Sequence, residues 1–302
     1  DGSDMMGSLR NPAGWNNLYG LRPSWGRVPG AARGDMYLHR LSTNGPMGRC
    51  PADMALMLDV MSGPLPHSPQ RMEFSAIGEL TGEIKGKRIG WLGDWGGAWP
   101  VEEGILSLCE TALGVFEDAG TQVEPMAAPF SAEALWHSWT TLRSWSIARE
   151  LVAIMEDPDK AAKLKPEAVW ETERGLKLSA MDVHRASEIR SDWYRTAHSL
   201  FETYDVLILP SAQVWPFPIN WHWPKEIAGQ QMDTYHRWME LVIPASLIGL
   251  PAVVVPAGFG ENGLPMGLQI IGRDGDDKGV LELAEAYHRA TNWPIHKPAP
   301  LL

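Results

Sequence analysis

Three short runs of apolar, mostly β-branched residues constrain the fold of this chain most strongly. They cover residues 206–209, 252–255 and 268–271, and almost every side chain in them is apolar. Strands that are apolar on both faces are typical of a sheet that other elements cover on each side. The chain is therefore predicted to fold around a central β-sheet with helices on both faces.

A strand–helix–strand pattern adds the strand direction to this prediction. Residues 88–92 have the pattern of a strand, residues 101–119 that of an amphipathic helix, and residues 122–124 that of a second short strand. The two strands of such a βαβ unit run in parallel. We therefore expect an α/β fold with a large mixed, mostly parallel central sheet.

The composition excludes several classes of protein. Of the 302 residues, 44% are hydrophobic and 21% are charged, which is too apolar for a disordered chain. The net charge of −11 argues against binding to nucleic acid or to an anionic membrane surface. No apolar stretch reaches the roughly 18 residues that a membrane-spanning helix needs, and no secretory signal is expected at the first residues. A cytoplasmic protein with Cys50 and Cys109 reduced is the expectation.

Tryptophan is unusually frequent, with 15 residues in the chain. Trp136 and Trp139 have helical spacing, which favours packing for that pair. Residues 213–224 hold Trp215, Phe217, Trp221 and Trp223, and three prolines exclude a helix there. Buried packing and an aromatic-walled pocket both remain open for this loop.

Several common catalytic and metal-binding motifs are absent from the sequence. The sequence has no G-x-S-x-G, no Walker A, no C-x-x-C and no H-E-x-x-H pattern. The acidic segment 273–277 lacks the closing glutamate of a calcium loop. We therefore expect neither a metal site nor a cofactor.

The first thirteen residues contain a candidate for catalysis. Gly7 allows a close approach of the backbone to a ligand, and Ser8 offers a hydroxyl just before a predicted helix. A serine at such a place is able to attack an acyl carbon while neighbouring backbone amides receive the oxyanion. By itself this pattern is also that of an ordinary helix cap.

The segments that follow resemble the blocks of the amidase signature family in their order along the chain. Residues 2–13 resemble its G-T-D-x-G-G-S-I-R-x-P-A block, and residues 20–29 resemble its G-L-(K/R)-P-(S/T)-x-G-R block. Further matches are found at residues 204–211 and 250–272. The resemblance covers residues 1 to about 290. It implies the amidase signature fold, with 1–302 as the C-terminal portion of a single amidase domain.

The resemblance also implies roles for individual residues. Ser8 corresponds to the nucleophile of a Ser–cisSer–Lys triad, and the backbone amides of Met5, Met6, Gly7 and Ser8 correspond to its oxyanion hole. Asp4 and Arg10 flank the nucleophile and are expected to form an ion pair that supports this loop. Met6 stands where the family has glycine, so its backbone must avoid a positive φ for the hole to form without strain.

The family's lysine and bridging serine precede the nucleophile block, and no segment after Ser8 matches them. We therefore expect an upstream segment or a second chain to supply both residues, and residues 1–302 alone to be inactive. In the mechanism that the resemblance implies, the neutral lysine takes a proton from the bridging serine, which takes one from Ser8. A homodimer is a further possibility.

Three functions are compatible with these observations. The first is hydrolysis of a small, hydrophobic or aromatic carboxamide through a Ser8 acyl-enzyme. The second is the glutaminase-type subunit of a tRNA-dependent amidotransferase, and the third is a non-catalytic chain that binds an aromatic ligand or a carbohydrate. For the first, a helical and aromatic insertion over about residues 131–245 is expected to form the substrate pocket. Its proposed lining residues are Trp136, Trp139, Trp215, Phe217, Trp221 and Trp223.

Overall fold

The structure is a computed structural model that describes residues 1–30, 35–66, 68, 69, 72, 73 and 75–296. The chain divides into two compact units. The first unit, here the sheet unit, takes in residues 1–129 and the residues from His198 onward. The second, here the helical unit, is formed by Phe130–Ala197.

The strands of the described residues are β1 (Gly2–Asp4), β2 (Tyr19–Arg22), β3 (Thr43–Gly45), β4 (Met47–Gly48), β5 (Arg88–Trp91), β6 (Gln122–Pro125), β7 (Val206–Pro210), β8 (Glu226–Ile227), β9 (Gln230–Gln231), β10 (Ala252–Phe259) and β11 (Pro265–Gly272). Seven of them form the main sheet in the order β4-β2-β10-β11-β7-β5-β6. Two small ribbons, β1 with β3 and β8 with β9, lie outside it.

The α-helices of the same residues are α1 (Arg10–Trp15), α2 (Pro51–Met61), α3 (Ile105–Asp118), α4 (Ala132–Met155), α5 (Pro158–Ala161), α6 (Pro166–Leu176), α7 (Ala180–Leu200), α8 (Ile243–Ile248) and α9 (Asp277–Thr291). Two 3₁₀ helices span Arg237–Val242 and Trp293–Ile295. The first of these is called the 237–242 helix below.

The predicted α/β fold around a large mixed sheet is confirmed, and β5–α3–β6 is the predicted parallel βαβ unit. The expectation that most strands are parallel is wrong. Among the described strands, four of the six neighbouring pairs in the main sheet are antiparallel. The turn 260–264 joins β10 to β11 directly, whereas a parallel pair needs a crossover of about a dozen residues.

Alternate residues of the central strands face opposite layers of helices, as the apolar runs predict. Val253, Val255 and Leu268 belong to the core with residues of α2, α3 and α9. The opposite face meets α1, where a Cβ on Gly14 would lie 3.0 Å from the backbone nitrogen of Gly267. Only glycine permits this close approach, and it brings the helix after Ser8 down onto β11.

The helical unit is held by a buried ion pair between α4 and α6. Arg143 Nε lies 2.7 Å from the Glu171 carboxylate, and both side chains are largely buried. Arg174 donates to Ser144 Oγ at 2.8 Å. Trp136 and Trp139 lie on α4, and Trp139 is fully buried.

The predicted segment 131–245 thus combines two parts of the structure. Its residues up to Ala197 form the helical unit, and the remainder belongs with the sheet unit, where β7 is a central strand. Whether residues 1–302 make up one domain stays a prediction. In the described ranges, no helix combines the length and the apolar character needed to cross a membrane.

Candidate active site

Ser8 lies in a turn between β1, which ends at Asp4, and α1, which begins at Arg10. The carbonyl of Gly7 accepts hydrogen bonds from the amides of Arg10 at 2.9 Å and Asn11 at 2.8 Å, so this turn leads directly into the helix. Ser8 itself is exposed, while both of its neighbours in sequence are buried. The local structure therefore presents the hydroxyl-bearing residue to the solvent on a fixed backbone.

The backbone of this turn places no methionine at a positive φ. The positive φ lies at Gly7, where it is 82°, and neither Met5 nor Met6 has one. A methionine is therefore accommodated before Gly7 without backbone strain.

The carboxylate of Asp4 holds the turn on both sides of Ser8. Its Oδ1 accepts the Gly7 amide at 2.8 Å, and its Oδ2 accepts the Leu9 amide at 3.2 Å. The amide of Gly7, which the family resemblance assigns to the oxyanion hole, thus donates to Asp4 in this structure. The assignment of the hole to the backbone of residues 5–8 stays a prediction.

Arg10 anchors the carboxylate of Asp4 in the interior. Its Nε lies 3.0 Å from Oδ2 of Asp4 and its Nη2 lies 3.0 Å from Oδ1, and both side chains are completely buried. The remaining N–H groups donate to the carbonyl of Val242 at 2.9 Å, to Oε1 of Gln269 at 2.9 Å and to Oγ of Ser246. All five donors of the guanidinium are therefore satisfied, which is what a buried charge requires.

Arg22 brings a second buried cation to Asp4. Its Nε lies 3.8 Å from Oδ1 of Asp4, and its Nη2 donates to the carbonyl of Leu41 at 2.7 Å. Burial lowers the pKa of Arg22 to about 10, against the effect of Asp4, so the group stays charged at neutral pH. We call Asp4, Arg10 and Arg22 the Asp4 cluster; it carries one positive charge in excess.

The charge of Asp4 follows from its neighbours. Burial by itself would raise the pKa of this carboxyl group, because it disfavours the charged form. The guanidinium groups of Arg10 and Arg22 and the hydrogen bond from the Gly7 amide outweigh this effect and hold the pKa of Asp4 below its ordinary value. Asp4 is therefore an anion at neutral pH.

The predicted aromatic residues occupy several places. Phe217 packs edge-on against Trp15 and Trp238, with ring centres 5.4 and 5.5 Å apart, and Trp15 stacks on Trp238 at 5.5 Å. Trp221 is half-exposed, with its ring centre 6.5 Å from that of Phe217. The ammonium group of Lys225 lies over the ring of Trp223.

Trp215 lies elsewhere in the sheet unit. Its indole nitrogen donates to the carbonyl of Glu103 at 3.0 Å, and its backbone amide donates to Glu102 at 2.7 Å. The ring lines an open cavity of about 540 Å³ between the start of α3 and the β10–β11 turn, together with Phe259 and Asn262. Trp136 and Trp139 belong to the helical unit.

Several residues that sequence reasoning missed lie on segments that pack against the Ser8 turn or belong to the hydrogen-bond network behind it. Trp15 ends the helix that follows Ser8, and Trp238 lies in the 237–242 helix, whose Val242 side chain packs beside Gly7. Arg22 and Gln269 lie inside blocks that carry the family resemblance. A lone glutamine within an apolar strand was the one local signal for Gln269.

Within the residues that it describes, the structure shows no hydrogen-bonded base for Ser8. In the described ranges, no lysine or histidine makes a hydrogen bond with Ser8. That a segment or chain outside residues 1–302 supplies the base stays a prediction.

Replacing Gly7 by alanine is expected to damage this turn. A Cβ at Gly7 would collide with the side-chain amide of Asn11 and lie 2.9 Å from Cγ1 of Val242, in addition to the strain of a positive φ. The free energy of unfolding should fall by about 2–4 kcal/mol, as measured by urea unfolding.

Gly97→Ala is the matched control, because Gly97 has nearly the same φ of 81° and open space around its Cβ position. Its free energy of unfolding should fall by about 1–2 kcal/mol, which is the strain of a positive φ alone. Equal losses for the two variants would mean that the contacts of Gly7 with Asn11 and Val242 are unimportant.

Comparisons with known proteins show which family this chain resembles. A family model described as Amidase matches residues 1–281. The chain is 31% identical to an acylamidase of Rhodococcus erythropolis and 30% identical to a glutamyl-tRNA(Gln) amidotransferase subunit of Chloroflexus aurantiacus. These alignments cover 100% and 98% of this chain and 63% and 64% of the two relatives.

Solved structures show the same likeness. A bacterial aryl acylamidase of the amidase signature family superposes with a TM-score of 0.89 at 25% identity, over 99% of this chain and 64% of that protein. The chain therefore spans somewhat less than two thirds of the length of these relatives. The family match over residues 1–281 shows that the chain belongs to the amidase family, whose members are the amidase signature enzymes.

Proposed function

We propose that this chain carries the nucleophile of an enzyme that hydrolyses carboxamides. The hydroxyl oxygen of Ser8 bonds to the amide carbon, the C–N bond breaks, and the amine leaves with a proton. Water then cleaves the resulting ester, which returns Ser8 and releases the carboxylate. The observation that carries this proposal is the exposed Ser8 on a turn whose flanking amides are both fixed by the buried Asp4.

The charge of the Asp4 cluster supports an acyl-transfer role. Two guanidinium groups surround one carboxylate in a fully buried site directly behind the turn. A fixed excess of positive charge in a region of low dielectric favours a negative charge that develops next to it. The tetrahedral intermediate at Ser8 would carry such a charge.

The proton of Ser8 requires a base. By resemblance to the family, we propose that a neutral lysine and a bridging serine from outside residues 1–302 supply it. Burial would lower the pKa of that lysine enough to keep it neutral.

We further propose that the substrate is a small, hydrophobic or aromatic carboxamide. Relatives described as an acylamidase and an aryl acylamidase support this class. The cluster of Trp15, Phe217 and Trp238 supports it as well. Trp15 lies on α1, which follows Ser8, and Trp238 lies on the 237–242 helix, whose Val242 packs beside Gly7. A pocket with aromatic walls and few polar groups is the usual site for such a ligand. Among the residues that the sequence predicted to line this pocket, Phe217 belongs to this cluster and Trp221 lies next to it.

A second candidate function is that of a glutaminase component in a tRNA-dependent amidotransferase. Its support is the 30% identity to the amidotransferase relative of Chloroflexus aurantiacus. In that case the amide cleaved would be that of glutamine.

Ammonia release from benzamide, phenylacetamide and glutamine separates these candidates. The protein to use is the complete gene product that contains residues 1–302, with its Ser8→Ala variant as the control. Release from the two aryl amides is the expected result. Release from glutamine alone would favour the amidotransferase component, and no release from any of the three would favour a chain that only binds aromatic ligands.

A further inference from the structure

Gln269 is a fully buried amide on the face of β11 that meets α1. Its neighbours Leu268 and Ile270 point to the apolar core on the opposite side of the sheet. A polar side chain at this position is stable only if its hydrogen bonds are made inside the protein. Where those hydrogen bonds go therefore defines what Gln269 contributes.

The amide of Gln269 uses both its donors and its acceptor on separate segments. Nε2 donates to the carbonyl of Leu241 at 2.7 Å and to the carbonyl of Pro210 at 3.0 Å. Oε1 accepts from Nη1 of Arg10 at 2.9 Å. One side chain thus joins the end of β7, the 237–242 helix and the guanidinium that anchors Asp4.

The same nitrogen of Arg10 also reaches the 237–242 helix. Nη1 donates to the carbonyl of Val242 at 2.9 Å, one residue beyond the carbonyl that Gln269 binds. Arg10 in turn fixes Asp4, whose carboxylate holds the amides of Gly7 and Leu9 on both sides of Ser8. A continuous path of buried hydrogen bonds therefore runs from Gln269 to the backbone of the Ser8 turn.

A second buried glutamine provides an internal comparison. Oε1 of Gln213 accepts the amide of Glu240 at 2.6 Å, and its Nε2 donates to the carbonyl of Pro100 at 3.1 Å. Gln213 thus holds the same 237–242 helix, and it is equally buried. None of its hydrogen bonds within the described ranges goes to the Asp4 cluster.

We propose that Gln269 is a positioning residue for the reaction at Ser8. Through Arg10 and Asp4, it fixes the Ser8 turn relative to the 237–242 helix, which carries Trp238. The inference rests on the proposed acyl transfer at Ser8 and adds the residue that sets the geometry of this step. Small displacements of a nucleophile are costly, because a shift of about 1 Å lowers the rate by about 100-fold.

The test compares Gln269→Met with Gln213→Met in the complete gene product. Each change removes the hydrogen bonds of one buried amide, and only the first removes an acceptor of Arg10. The rate of Ser8 labelling by an alkyl fluorophosphonate reports directly on the nucleophile, and turnover of benzamide gives kcat and KM. Melting temperature and circular dichroism confirm that each variant is folded.

For Gln269→Met we expect labelling and kcat to fall by about 100-fold, with KM changed by less than about threefold. The Gln213→Met variant should have a lower melting temperature than the wild type and the same labelling rate. Gln269→Glu has the same shape and keeps an acceptor for Arg10, but it loses both donors to Leu241 and Pro210. We expect it to slow labelling by about 10-fold, and it replaces the methionine variant if that protein does not fold.

Wild-type labelling in a folded Gln269 variant would overturn the inference and leave the proposed function intact. An equal loss of labelling in Gln213→Met would also overturn it, because holding the 237–242 helix would then suffice. If the wild type is neither labelled at Ser8 nor active on any amide, the proposed function fails and the inference fails with it.

Discussion

Replacement of Ser8 by alanine is expected to abolish acyl-enzyme formation and to lower amide hydrolysis by about 10⁴-fold or more. The reason is that the nucleophile is the one group whose bond to the acyl carbon no neighbour can form. The turn should survive the change, since the bonds from Asp4 to the amides of Gly7 and Leu9 involve no atom of the Ser8 side chain. Ammonia release and mass spectrometry of the trapped acyl adduct measure the two effects.

Ser3→Ala is the matched control for this experiment. Ser3 is an exposed serine of β1 in the same segment, and its loss should leave turnover unchanged. Near-normal turnover in Ser8→Ala would refute the assignment of Ser8 as nucleophile.

Replacement of Asp4 by alanine is expected to lower the free energy of unfolding by about 3–5 kcal/mol, because it leaves two buried guanidinium groups without their counter-ion. Arg10 and Arg22 are both completely buried, so solvent cannot take over the role of the carboxylate. The amides of Gly7 and Leu9 lose their acceptor in the same step. Urea unfolding of the variant and the wild type measures the loss.

Asp192→Ala serves as the control for Asp4→Ala. Asp192 pairs with Arg195 at the surface, where the two side chains are 56% and 71% exposed. Such a pair contributes at most about 1 kcal/mol, so its removal should change little. A loss as large as that of Asp4→Ala would show that burial of the Asp4 cluster is not what makes its charges important.

The effect of Asp4 also depends on pH in a predictable direction. Its pKa is lower in the folded state than the ordinary value of 3.8, so the folded protein favours the charged form. The contribution of Asp4 to stability is therefore complete above that ordinary pKa and is lost as the pH falls through the lower pKa of the folded state. The stability difference between wild type and Asp4→Ala should shrink in strong acid and stay constant near neutral pH.

Local patterns predicted the parts of the fold whose contacts are close in sequence. The β5–α3–β6 unit was predicted because its strands and helix each have a clear period and follow one another directly. The prediction of a mostly parallel sheet was wrong, because the sequence shows where a strand begins and not beside which strand it lies. The β10–β11 hairpin could have been predicted from the short glycine-containing turn 260–264 between two strands.

The aromatic residues show a different limit. The prolines of residues 213–224 correctly predicted a loop rather than a helix, while tryptophan content left buried packing and an aromatic-walled pocket both open. Which rings meet depends on segments far apart in the chain, such as Trp15 and Trp238. The sequence therefore named Phe217 and missed the two tryptophans against which it packs.

The sequence by itself determined the family, the position of Ser8 and the glycine that turns the backbone just before it, since these depend on contiguous residues. Only the tertiary structure decided what holds that turn. Arg10 finds its acceptors at Val242, Ser246 and Gln269, more than 230 residues away. A buried guanidinium needs acceptors inside the protein, and which acceptors lie near Arg10 depends on the order of the strands rather than on any local pattern.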